Sequence, residues 1–199
     1  MRRIAILTVL GMCSALFGVL SGGSAQAADE YVGNGQCKVC HNKAAEGEQW
    51  KKWKEEKHSK AIESLKSPEA EKIAKEKGLT KPAAESPECL KCHVTAYDAA
   101  TAAAPAKIVV ADGVQCETCH GAGAKHMEAG KQKMFKKDET VDPKQFVAKI
   151  DEATCTKCHN AESPTWKADK YTKADGTKVG FDFEEAKKKI SHPNPLKKK

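Results

Sequence analysis

Eight of the nine cysteines stand in four copies of one spacing: Cys37-Lys38-Val39-Cys40-His41, Cys89-Leu90-Lys91-Cys92-His93, Cys116-Glu117-Thr118-Cys119-His120 and Cys155-Thr156-Lys157-Cys158-His159. Two cysteines three apart on one helical turn reach the two vinyl groups of a single porphyrin as thioethers, and the histidine that follows is placed to bind its iron. Four motifs therefore imply four covalently bound haem c groups, with His41, His93, His120 and His159 as proximal ligands. Zinc ribbons and thioredoxin-like redox pairs also use C-x-x-C. Histidine is only 7 of 199 residues, however, so chance would place it after all four pairs on the order of once in a million sequences. The ninth cysteine, Cys13, lies in an apolar N-terminal run, and no cysteine of the remaining chain is left over for a disulfide.

The three histidines outside the motifs are His58, His126 and His192. Each is a candidate sixth ligand, and three cannot cap four irons. Bis-histidine ligation gives low potentials compared with His/Met ligation and leaves no coordination position for a substrate, so at least three of the irons are expected to do nothing but pass electrons. His126 follows His120 by only six residues and would have to turn around the porphyrin edge to cap the same iron, so it is expected to serve another. His192 is the one spare histidine after the fourth motif and is expected to cap the iron of His159. His58 and His126 would then serve the first and third haems in a crossed arrangement. The stretch after the second motif, 94–112, holds neither His nor Met; Met134 is the rival sixth ligand for the remaining iron.

Elements that hold such ligands are legible as short helices between long irregular loops. Over 46–65 the pattern is helical, with Trp50 and Trp53 three apart and His58, Ala61, Ile62 and Leu65 on one stripe. Ser67-Pro68 starts a second helix and Gly78 ends it. Residues 107–110 read as a short strand before an Asp112-Gly113 turn. Gly121-Ala122-Gly123 allows the backbone to pass closely over a flat group. A helix over 125–136 carries His126 and Met134, another begins at Asp142-Pro143 and feeds the fourth motif, 167–180 is an exposed loop, and 184–190 is a last helix before His192.

Composition agrees. Aromatic residues are 6% and charged residues 31% of the chain, with a mean hydropathy of −0.61, which is little material for a conventional core. Four porphyrins, each with apolar area worth on the order of 10 kcal/mol of burial, would supply it. The fold class expected is mainly α with long irregular loops, a single multihaem cytochrome c domain organised around four close-packed haems. The formal charge of +7 suggests no nucleic-acid partner, because haem propionates would cancel much of it.

Arg2 and Arg3, an apolar run over 4–20 and Ala25-Gln26-Ala27 form an export signal with an A-x-A cleavage site. Residues 1–27 are expected to be removed, with Cys13 among them, leaving 28–199 as the tetrahaem domain in the periplasm with no integral membrane segment. Thioether attachment outside the cytoplasm agrees with that route.

The segments 53–66 with Trp53 and His58, 89–94, 113–123 and 155–166 resemble the tetrahaem cytochrome c-554 family. The resemblance implies three bis-histidine haems and an open second haem, here the one bound by His93; after Trp166 the chain is shorter and different from the family. It implies electron transfer between redox partner proteins, donor and acceptor unspecified, with nitric oxide or a similar small ligand at the His93 iron. Two other functions compete with electron transfer: a haem enzyme acting on a small nitrogen compound at the open iron, and a subunit of a cytochrome filament. An enzyme needs proton donors over that iron, and the Lys-terminated C-x-x-C-K motif of related nitrite reductases is missing. A filament subunit whose neighbours complete the ligand set would need eight histidines.

Overall fold

The computed structural model describes residues 30–192 and 194–195. The expected export signal, residues 1–27, and the lysine-rich end, 197–199, lie outside the described residues. Among the described residues the protein is a series of short helices with one small hairpin: α1 (Asn34–His41), α2 (Gln49–Glu55), α3 (Ala61–Ser64), α4 (Pro68–Glu76), α5 (Pro87–His93), α6 (Cys116–His120), α7 (Ala124–Lys136), α8 (Glu152–Thr156), β1 (Tyr171–Thr172), β2 (Lys178–Val179) and α9 (Phe183–Ile190). No helix among them is long and apolar enough to cross a membrane. The mainly helical class expected from the motifs is the one observed.

Local chemistry explains most boundaries. Ser67 caps α4 by accepting from the Ala70 amide at 3.2 Å, with Pro68 in the first turn, where a missing N–H costs nothing. Asp151 caps α8 through a reciprocal box with Thr154, and Asp182 caps α9 by accepting from the Glu185 amide; each satisfies an amide donor that the helix itself cannot.

The apolar core is small. Ile62, Leu65, Ala74, Ala83, Leu90, Val94 and Ile108 form one buried cluster, contributed by α3, α4, α5 and the loop after the second motif. Beyond it, the buried hydrophobic residues of the later part of the chain are Val114 and Ala129.

Four expectations need correction. The continuous helix over 46–65 is broken into α2, a 3₁₀ turn at His58–Lys60 and α3. The hydroxyl of Ser59 donates to the carbonyls of Lys54 (2.9 Å) and Glu56 (2.8 Å), and the His58 carbonyl accepts from Val114 N at 3.0 Å, so a tertiary partner competes with helix propagation there. Residues 107–110 make no strand; a 3₁₀ turn at Val110–Asp112 occupies their end. The loop 167–180 contains the antiparallel β1–β2 hairpin. The helix expected from Asp142-Pro143 is only a 3₁₀ turn, Pro143–Phe146, and α8 starts afresh under its own cap.

Candidate metal centres

Each C-x-x-C-H motif falls on a short helix or the turn that continues it: α1, α5, α6, and α8 with the residues that follow it. All eight cysteines are partly buried and free of disulfides. No group of three or more metal-binding side chains converges among the described residues, so the motifs do not assemble into zinc-like clusters.

The histidines come together in pairs. The rings of His41 and His126 lie 6.0 Å apart between centroids, those of His58 and His159 also 6.0 Å, and those of His120 and His192 5.9 Å. Two imidazoles on opposite sides of one metal, each with a metal–nitrogen bond of about 2 Å, place their ring centroids about 6 Å apart. Three pairs at that separation, each joining one motif histidine to one non-motif histidine, fit a six-coordinate haem iron between the members of each pair. Burial favours the neutral, metal-binding form of five of these six rings. It lowers His41, His58, His159 and His192 below the ordinary value. For His120, burial together with His192, His41 and His126 brings the pKa down to about 4.

The pairing differs from the expected one at two points. His192 stands against His120, not His159, and His58 stands against His159, not a ring of the first or third motif. Both depend on long-range contacts that proximity in sequence does not report. His58 is carried by a turn whose carbonyl is tied to Val114. His126 does pair with a motif other than its neighbour, the first, and its Nδ1 lies 3.0 Å from the Pro143 carbonyl.

Among the described residues, His93 faces no other histidine ring. Its Nδ1 lies 2.7 Å from the carbonyl of Ala61 and 3.3 Å from the Ser64 hydroxyl. Met134, the rival ligand, is 40% exposed near the end of α7.

Several residues with no motif signal orient these elements. Glu117, within the third motif and only 3% exposed, accepts from the amides of Val32 (2.9 Å), Gly33 (2.8 Å) and Gly123 (2.7 Å). Gln115 and Thr95 are fully enclosed beside it. Gln115 takes the Asn34 amide on its side-chain oxygen (3.2 Å), gives its side-chain nitrogen to the Val109 carbonyl (2.8 Å) and its own amide to the Thr95 hydroxyl (2.6 Å). Thr95 in turn meets Thr118 at 2.8 Å. This buried, satisfied network joins the start of α1, the exit from α5 and the entry to α6, so three motifs share one polar hub. Trp53 adds a bond from its indole N–H to the Val114 carbonyl at 2.8 Å. Phe181 stacks on His159 at 5.5 Å and meets Tyr171 of β1 edge-on, so an aromatic contact links the hairpin to the fourth motif. A buried glutamate inside C-x-x-C-H was the one signal in the sequence that could have pointed to the hub; Phe181 had none.

The family model described as cytochrome c554 and c-prime matches residues 36–121, a span that holds the first three motifs and His58. A solved structure of reduced cytochrome c554 from Nitrosomonas europaea is similar at 27% identity and a TM-score of 0.47, covering 82% of this chain and 79% of that one. No protein of curated function matches significantly. The chain is a c-type cytochrome with covalently bound haem, a class of electron-transfer protein. Over residues 36–121 it is similar to the cytochrome c554 family.

Proposed function

We propose that this protein is an exported, periplasmic tetrahaem electron carrier in which three irons are bis-histidine and the fourth, bound by His93, keeps an open coordination position. The observation that carries the reading is the division of the seven histidines into three facing pairs and one unpaired ring. Haem c would supply the one-electron chemistry, and thioethers from Cys37, Cys40, Cys89, Cys92, Cys116, Cys119, Cys155 and Cys158 would hold it in place. The protein's own residues bury the rings of His41, His58, His120, His159 and His192, which favours their neutral form, and join three of the motifs through the Glu117–Gln115–Thr95 hub. Cys37 lies beside Cys116 and Cys92 beside Cys158, so the first motif adjoins the third and the second adjoins the fourth, which would keep the groups they hold close together. Redox proteins are the partners. Residues 1–27 direct export and are removed.

The unpaired His93 also gives a small ligand such as nitric oxide a place to bind. The test is a count. The purified protein should exceed its polypeptide mass by four haems, show one high-spin and three low-spin irons when oxidised, and bind carbon monoxide at one iron per chain when reduced. Four low-spin irons with no carbon monoxide binding would overturn the open site.

A further inference from the structure

The environment of His93 differs from that of the paired histidines in one respect that bears on its iron. With Nε2 on iron, Nδ1 carries the ring proton, and the acceptor 2.7 Å away is the Ala61 carbonyl. That same carbonyl also accepts from the Ser64 hydroxyl at 2.7 Å. The remaining side of the triangle, Ser64 Oγ to His93 Nδ1, is 3.3 Å. A hydroxyl donor bond of 2.7 Å is at its preferred length, whereas 3.3 Å is beyond the usual range for a ring N–H donor. Ser64 therefore acts as a second donor to the oxygen that His93 uses, and draws on its acceptor strength.

We infer that Ser64 is a positioning residue for the open haem: by sharing the Ala61 carbonyl it weakens the His93 Nδ1–H hydrogen bond, lowers the basicity of the proximal imidazole and so sets the iron–histidine bond opposite the open position. Hydrogen bonding to the outer nitrogen of a ligating histidine raises its basicity, and losing such a partner typically costs about 10–100-fold in metal affinity or activity. The inference rests on the reading of the His93 iron as five-coordinate. It concerns α3, the element that follows the His58 turn, so one stretch of chain serves the fourth haem through His58 and the second through Ala61 and Ser64.

The experiment compares holoprotein carrying Ser64→Ala or Ser64→Thr with the unaltered chain. Ser64 is exposed at the end of a short helix, so both variants are expected to fold with four haems. In the reduced state Ser64→Ala should raise the iron–histidine stretching frequency of the high-spin haem in resonance Raman spectra and lower that haem's potential, leaving the three low-spin potentials in place. Ser64→Thr, which keeps the hydroxyl, should match the unaltered protein. A high-spin haem whose stretching frequency and potential do not respond to Ser64→Ala would overturn the inference while leaving the open iron intact. An unaltered protein with no high-spin haem would overturn both.

Discussion

Replacing Glu117 with Gln tests whether the polar hub, and not the small apolar cluster, holds the motifs in register. The carboxylate is 3% exposed and takes three backbone amides: Val32 and Gly123 on Oε1, Gly33 on Oε2. Glutamine has the same shape. Its oxygen can keep two of those bonds at neutral strength, roughly half that of charge-assisted ones, but its amide nitrogen then faces the Gly33 N–H donor to donor. Charge-assisted bonds contribute about 1.5–3 kcal/mol each, and a buried donor left unmade costs about 1–3 kcal/mol. The expected loss is about 3–5 kcal/mol. At about 2–4 °C per kcal/mol for a domain of this size, thermal unfolding of the holoprotein followed by far-ultraviolet circular dichroism should shift down by about 10 °C. The exposed pair Lys91–Glu162, at 2.9 Å with side chains 45% and 74% exposed, is the control, and Lys91→Ala should leave the midpoint unchanged. A Glu117→Gln midpoint within error of the unaltered protein would refute the assignment of the hub as the main constraint on these motifs.

Removing a spare histidine should change spin state and not haem count. His126→Ala, His58→Ala and His192→Ala should each convert one low-spin haem to high spin in electron paramagnetic resonance, with intact mass still showing four haems; an unchanged spectrum would make that histidine a bystander. Gly113 has φ 63° and a Cβ there would stand 2.8 Å from the His58 carbonyl. Gly113→Ala should therefore destabilise the protein by about 1–3 kcal/mol and perturb the His58–His159 haem first, as redox titration would show. Because the folded pKa of His120 is depressed to about 4, the unfolded chain binds more protons below its ordinary value of about 6.5. Stability is therefore full above that pH and falls as pH drops toward 4, with iron binding to the neutral ring acting in the same direction. Denaturant midpoints that rise between pH 7 and pH 5 would contradict this.

The haem motifs, the three spare histidines and the shortage of core residues were all legible in the sequence, because covalent haem attachment needs its residues at fixed local spacing and composition needs no geometry at all. The cap at Ser67 and the helix carrying His126 were legible for the same local reason. Only the tertiary structure decided which histidine faces which. His58 and His159 are 101 residues apart in the chain (159 − 58), and His192 reaches His120 through contacts that its closeness in sequence to the fourth motif does not report. The break at His58 likewise came from outside its helix: the periodicity of 46–65 was sound, but the Val114 amide and the close backbone of Gly113 claim the His58 carbonyl. Glu117, Gln115 and Thr95 read as ordinary polar residues until folding enclosed them together, where unpaired polar groups would be costly and paired ones bind three motifs into one frame.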